Sequence, residues 1–535
     1  MDGFISNLSA ELVGGLILAT ISAIVGTCWR WPRIRRWVAA RFLPPMSGTH
    51  FAVLVCELEH DSIDRKQTRH VIASLRSQFG VFEDYKAFEV RDYPGLLKLN
   101  AGGNFSDQKE EVQVKARKWL AEQNADVLIW GEVAREDAIL RLNFVSREDF
   151  DLANSYTLTD KLELPLDFRE HLSEAIAATV LLAAAPVFSA SKSLVKLLLP
   201  LLPRLKNMVE HGPAELSASC FGSICNSAAI TFCIYGQQSG TTMWHLDCER
   251  AFARTLEFFN IAEWPAEWSI AQSNYGSFLA MLAQDCGGDD AIRYAANAID
   301  AMESALFVQT EKSTPLEWAR SQGNLANAYR ILAVHFKDER AIGYLKKSID
   351  ATSNALRVHV RANWPFDWAV NQLNLSIAFQ ELGKRGDAKT SQDLWEKSLL
   401  ASTSSLEVLK IEQYPMQWAM AKSSLAATAG IIGQSYDGLP ANALLHRCVA
   451  EFQDTFRVYS QNELPAYWAM NQHNLGNSLL VLGERIGDRS KFLMAIDAYE
   501  AALDFYKSSG NLNEVQRLQS SIGVAKTMFT GTVVT

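Results

Sequence analysis

The sequence predicts a multidomain protein: a single transmembrane helix, an α/β module with a mixed sheet, and an all-α solenoid of helix pairs with a fifty-residue period. Three observations carry this reading. Leu12 to Trp29 contains no charged residue and is followed at once by Arg30, Arg33, Arg35, Arg36 and Arg41. Between residues 50 and 168, β-branched and aromatic runs alternate with helical patterns. Beyond residue 260 a Pro-x-x-Trp phrase recurs, with Trp268, Trp318, Trp368, Trp418 and Trp468 fifty residues apart each time. Strict self-similarity at such a period is the signature of stacked supersecondary units.

Bulk properties narrow the function classes. At 535 residues, 48% hydrophobic and 21% charged, the chain has an ordinary globular composition and room for several domains. A net charge of -9 excludes a general nucleic-acid binder, which would present a basic face. The eight cysteines include no C-x-x-C pair and are too sparse for a disulfide framework, so a reducing compartment is expected.

Residues 8–29 are expected to span a membrane and 30–46 to form a basic juxtamembrane linker. Eighteen uncharged residues approach the minimum length for hydrocarbon. Trp29, Trp31 and Trp37 form an aromatic belt, and the arginines behind them place the carboxyl side in the cytoplasm with the amino terminus outside. A secretory signal would carry its basic region ahead of the apolar run. A buried amphipathic helix is the alternative reading. Pro44-Pro45 closes the linker.

Residues 50–168 read as the α/β module. Phe51 to Leu58 is a buried strand, and Val71, Leu75 and Phe79 mark a helix over about 64–79. Tyr85 to Val90 is a second strand. Asn100 to Asn104 is a loop, and Ser106 is placed to cap a helix reaching Gln123. Ala125 to Val133, Ala138 to Val145 and Tyr156 to Leu164 supply three more strands. This order gives a mixed sheet flanked by helices. The order and the run Ala125-Asp-Val-Leu-Ile-Trp-Gly-Glu-Val133 resemble the amino-terminal domain of TolB-like proteins, a module that bacterial repeat proteins carry ahead of their repeats. The resemblance implies a binding or assembly domain without catalytic residues. The Gly102-Gly103 loop lacks phosphate-cradle spacing and reads as a plain loop. Cys56 and His60 could make a nucleophile and base, although strand-end cysteines usually pack.

Residues 169–212 form a helical junction. Ala175 to Ser191 is uncharged and Leu197 to Leu202 apolar, which suits buried helices, with a re-entrant membrane segment over 175–203 as the alternative. Residues 213–528 are the repeat array. Pro213 to Leu216 echoes Pro265 to Trp268, so 213–260 reads as a degenerate first unit whose second helix covers about 243–259. Cys220, Cys225, Cys233, Cys248 and His245 gather there, but their spacings fit no structural zinc pattern.

In each unit a first helix begins at the proline, and a second buries small residues at helical spacing: Ala298, Met302, Ala305; Ser348, Thr352, Ala355; Ser398, Ser402, Ser405; Cys448, Phe452, Thr455; Ala495, Tyr499, Ala502. Leu475-Gly476 followed by Ala495, Tyr499 and Ala502 is similar to the tetratricopeptide signature, with a period of fifty in place of the family's shorter one. A helix over 511–528 closes the stack. The tryptophans read either as an aromatic ladder for a ligand or as packing between units, and their recurrence in every unit favours packing. The tetratricopeptide resemblance places a groove on the first helices, at Ile270, Ser273 and Ser277 in one unit and Arg320, Gly323 and Asn327 in the next. Val370, Leu373 and Ile377 follow, then Met420, Ser423 and Ala427, and last Met470, His473 and Asn477. From these, Arg320, Asn327, Val370, Leu373, Ile377, Met420, Met470, His473 and Asn477 are the candidate contacts.

The expected function is therefore a non-enzymatic scaffold at the cytoplasmic face of an inner membrane, recruiting a protein or peptide. No cofactor, metal or nucleic acid is expected, and a homo-oligomer stands among the partners. A receptor whose α/β module binds a small molecule and relays this to the repeats is the alternative.

Overall fold

The computed structural model describes residues 44–46, 51–80, 88–98, 105–147, 161–168, 170–184, 193–212, 216–239, 241–436, 438–462, 464–509 and 511–530. The expected membrane span, most of its basic flank and the Asn100–Asn104 loop lie outside these residues. Two compact units divide at Asn274 and Tyr275, a boundary that falls inside a helix.

The first unit is built on a sheet of order β2-β1-β3-β4-β5. Its strands are β1 (Phe51–Glu57), β2 (Phe88–Leu96), β3 (Val127–Ala134), β4 (Ile139–Ser146) and β5 (Lys161–Pro165). β1 pairs in parallel with β2 and with β3, while β4 and β5 add antiparallel. The crossovers are helices α1 (Lys66–Gly80) and α2 (Phe105–Gln123). Because β2 and β3 flank β1 on opposite sides, crossovers of one hand place α1 and α2 on opposite faces. β1 is buried along its whole length, as a strand covered on both faces must be. Its Ala52, Leu54 and Cys56 pack with Val112, Ala116 and Leu120 of α2. The second strand is described over Phe88–Leu96, and Tyr85, where the sequence pattern places its start, lies outside the described residues. The Asp126 carboxylate, buried ahead of β3, accepts from the Ala52 amide at 2.8 Å and faces Arg147 at 3.3 Å. Burial nonetheless pushes its pKa up.

The junction holds α3 (Glu170–Ala183), α4 (Ser193–Leu198) and α5 (Leu202–His211). α3 is not a linker: it packs on α1 and on β4 and so completes the α/β unit. α6 (Ala218–Ser239) and α7 (His245–Phe258) form the degenerate first pair. α6 starts five residues after Pro213, so Leu216 does not occupy the tryptophan position of a helix. Among the described residues α6 is the one helix long and apolar enough to cross a membrane, and it is almost wholly buried within this unit. Cys233 of α6 and Cys248 of α7 lie side by side, with Cα atoms 6.3 Å apart.

The remaining helices are α8 (Pro265–Asp285), α9 (Gly288–Val308), α10 (Pro315–Ala333), α11 (Glu339–Val358), α12 (Pro365–Gly383) and α13 (Ala388–Ser405). They are followed by α14 (Pro415–Ser435), α15 (Leu439–Thr455), α16 (Pro465–Ile486), α17 (Arg489–Ser508) and the closing α18 (Leu512–Thr530). Each first helix of a pair begins at its proline. The residue before it is held near φ −131° and ψ 62° at Trp364, with nearly the same values at Tyr414 and Leu464. That is the extended φ a proline imposes on its predecessor. Its carbonyl accepts the amide of the tryptophan four residues on, at 2.8–2.9 Å in every unit. The small and aromatic positions predicted for the second helices are all buried.

Helix approach within a pair is closest at a small residue. A Cβ on Gly476 would lie 2.5 Å from the Tyr499 ring, whereas one on Gly523 of α18 would meet nothing within 4 Å. Gly476→Ala is therefore expected to destabilise the protein by about 1–3 kcal/mol. Gly523→Ala should be neutral or stabilising by roughly 0.5–1 kcal/mol. Guanidinium-induced loss of helical circular dichroism measures both. Equal effects at the two sites would refute the close-approach account.

Candidate functional site

Two regions gather side chains of functional interest, one in each unit. On the first helices of the repeats, the candidate contacts divide sharply by exposure. Val370 and Leu373 are buried, and Ile377 is half-buried. Arg320 and Asn327 are half-buried, and the Asn327 amide oxygen accepts from Arg330 at 2.7 Å. Met420 and Met470 stand 39% and 42% exposed at equivalent places in successive units. Half-buried His473 lies 3.3 Å from Glu514 of α18 and edge-on to Tyr499. Burial holds its imidazole pKa down, against the pull of the Glu514 carboxylate. Asn477 is exposed and accepts from the Tyr499 hydroxyl at 2.9 Å. The apolar surface on offer therefore belongs to the methionines, while Val370 and Leu373 in the preceding repeat serve the stack.

Several flanking positions form a polar seam between consecutive first helices. Asn324 donates to Ser277 at 3.0 Å, Ser376 meets Ser424 at 2.9 Å, Gln380 donates to Thr428 at 3.1 Å and Ser423 donates to Asn471 at 3.0 Å. Gly323 belongs to the same seam, since a Cβ there would sit 3.2 Å from the Asn371 amide oxygen. In the first unit Asn274 reaches Asn226 at 3.4 Å. The sequence pattern missed a second periodic position, just after each second helix: Phe259, Gln309, His359, Leu409 and Tyr459, all buried. Polar members find polar neighbours, with Ser321 donating to Gln309 at 2.6 Å and Asn371 bonded to His359 at 3.1 Å. The same fifty-residue comparison would have found it.

The tryptophans sit half-buried, with Trp418 almost fully so. Arg361 lies over the Trp368 ring at 5.3 Å, and Lys422 and Arg457 over Trp418 at 5.5 Å. Trp468 packs against the hydrophobic cluster that closes the stack. At Trp368 and Trp418 the ring faces thus already carry cations from the chain itself.

In the first unit the region of interest is the carboxyl edge of the parallel strands, where open α/β sheets bind ligands. The Cys56–His60 pairing fails there. Cys56 is fully buried on the α2 face with its thiol pKa pushed far up by burial, whereas the His60 side chain is 63% exposed. Instead His60 meets Glu59 and Glu132, whose donor atoms lie within 4.8 Å of one another and of the imidazole. Asp61 caps α1, accepting from the Gln67 and Thr68 amides at 3.2 and 2.8 Å. Buried Arg65 pairs with Asp92 at 2.6 Å. Glu132 was never a sequence candidate, because only the pairing of β1 with β3 brings it to residue 59.

No family model matches the chain, and no curated protein matches it. Among solved structures, a circular tandem repeat protein with novel repeat topology and enhanced subunit contact surfaces is similar to this chain at 11% identity and a TM-score of 0.23, over 67% of this chain and 97% of its own. So loose a superposition carries no argument. The chain carries a helical tandem repeat on the evidence of its own helix pairs.

The seam continues into the last pairs, where Cys448 takes the place held by Ser348 and Ser398 and contacts the Ser478 hydroxyl at 3.0 Å. Burial pushes the Cys448 thiol up to about 11, against the Ser478 hydrogen bond. The unfolded chain loses this proton near pH 8.5, so the native state binds more protons above that pH. Its contribution is complete below about pH 8.5 and is lost as pH rises through about 11. Cys448→Ser is expected to flatten the fall of the urea midpoint between pH 8 and 11, by on the order of 1–3 kcal/mol. An unchanged pH slope in the variant would exclude the thiol as its source.

Proposed function

We propose that this chain is a non-catalytic, membrane-anchored scaffold whose tetratricopeptide-like helix pairs recruit a protein partner on the cytoplasmic side of an inner membrane. The observation that carries the reading is the pair Met420 and Met470, exposed one repeat apart on successive first helices. Methionine is pliable and polarisable, and it recurs on surfaces that accept apolar peptides. Tyr467 stands beside them, 40% exposed. Burial and the carboxylate of Asp285, four units earlier, push its phenol pKa up. The anchor rests on the uncharged Leu12–Trp29 run and the arginines behind it. The TolB-like resemblance of residues 50–168 supports an assembly role for the first unit.

A receptor reading, in which the α/β module binds a small ligand and the repeats relay it, is favoured by the charged carboxyl edge around His60. The two are separable by experiment. Full-length protein from solubilised membranes and a form lacking residues 1–46 should retain the same specific protein. Met420→Asp together with Met470→Asp should weaken that interaction roughly tenfold or more, as loss of a central apolar anchor does. Retention unchanged by the double variant, or no specific protein in either form, would defeat the scaffold reading.

A further inference from the structure

We propose that Glu59, His60 and Glu132 bind a divalent transition-metal ion, of which Zn²⁺ is the best match, at the carboxyl edge of the α/β sheet. Beyond the end of β1, the Glu59 amide donates to the Gly131 carbonyl at 2.8 Å, and the Val133 amide returns to the Glu59 carbonyl at 2.8 Å. This isolated parallel bridge sets Glu59 directly beside Glu132. Paired residues in adjacent strands point their side chains to the same face of the sheet. Two carboxylates are thereby fixed together at the junction of β1 and β3, where the strand order reverses and ligands of α/β folds collect.

In extended backbone the next side chain would point the opposite way. His60 does not continue the strand. It turns with φ 59°, and its carbonyl is held by Arg135 at 2.9 Å. The turn brings consecutive side chains to one side, with His60 Nε2 3.9 Å from a Glu59 oxygen. The three donors lie within 4.8 Å of one another. A tetrahedral ion with bonds near 2.1 Å needs separations of about 3.4 Å. His60 is exposed and both glutamates are partly so, which lets the side chains close that gap by rotation.

The surroundings fit a ligand set. Arg141 donates to Glu132 at 2.8 Å and also to Asp137 and Glu163, at 3.0 and 3.1 Å. It orients Glu132 as second-layer partners orient metal ligands. Because one guanidinium is shared among three carboxylates, it leaves negative charge for a cation to offset. One imidazole with two carboxylates suits Zn²⁺ or Mn²⁺, and suits Mg²⁺ poorly. Three protein donors leave at least one coordination position for water or an anionic ligand.

The test is calorimetric titration of chelator-stripped full-length protein with Zn²⁺ in one series and Mg²⁺ in another, in a Cys286→Ser background that removes the exposed thiol. One equivalent of Zn²⁺ should bind in preference to Mg²⁺ and raise the thermal midpoint. His60→Gly, which suits the positive φ and removes the imidazole, and Glu132→Gln should each weaken Zn²⁺ roughly tenfold or more. Circular dichroism reports that both variants remain folded. Zn²⁺ affinity unchanged in both, or no preference over Mg²⁺, would overturn the proposal. This outcome is independent of whether the repeats bind a protein.

Discussion

Within each helix pair the two helices approach closely at a recurring position that has to be small, and much of the repeat array follows from that contact. The position is occupied by Gly276, Ala326, Ser376, Ala426 and Gly476. A Cβ on Gly276 would lie 2.8 Å from Met302 and 3.0 Å from the Ala298 carbonyl. The Ser348 hydroxyl donates across to the Ala326 carbonyl, and the Ser398 hydroxyl to the Ser376 carbonyl, each at 2.8 Å. A serine side chain can reach the facing helix's backbone only when the helices are very close. That closeness explains why the second helices bury alanine, serine and threonine, with one large side chain such as Met302, Phe452 or Tyr499 to fill the remaining space.

Small faces create a second problem, which the polar seam solves. Contacts among alanine and serine are weakly directional, so neighbouring helices could slide by a turn at little cost. Ser376, Ser398, Ser424, Thr428 and Gln380 form a buried, mutually bonded network in the middle of the array. A hydrogen bond displaced by one turn leaves its donor unsatisfied in the interior, at about 1–3 kcal/mol. The network therefore fixes register more than it adds stability. Lys422 fits the same logic in the divergent unit, where its ammonium is held by Glu451 and by Asp454, the latter at 3.2 Å.

Legibility followed the range of the interactions. The buried positions of the second helices could be read from the sequence because they depend on helical spacing and a fixed period, both local. The first-helix starts were legible because a proline specifies them. Val370 and Leu373 look like groove residues by position, yet the structure buries both, since burial depends on neighbouring units and not on the unit itself. α3 read as a junction for the same reason: its uncharged face is explained only by α1 and the sheet. Glu132 was invisible because its partnership with Glu59 and His60 is created by strand pairing. Cys233 and Cys248 carry no motif, and only the packing of α6 against α7 brings them together.

The apolar helix α6 shows how length and composition mislead without packing. Alone, it satisfies the requirements of a membrane span. In the first unit it is enclosed by β5, α3, α4, α5 and α7, and a helix covered on every side must be apolar on every side. Its close contacts are those of a packed interior: a Cβ on Gly222 would meet the Phe259 ring at 2.8 Å. Its buried polar groups are matched within the protein, with Thr231 donating to the Ser227 carbonyl at 2.7 Å and Asn226 accepting from Asn274. The asparagine pair is the decisive detail. Facing lipid, Asn226 would stand in hydrocarbon with no partner; here it meets the residue at which the first unit ends. The degenerate pair α6–α7 thus belongs structurally to the α/β sheet, and the sequence boundary suggested at residue 213 divides a single packed body.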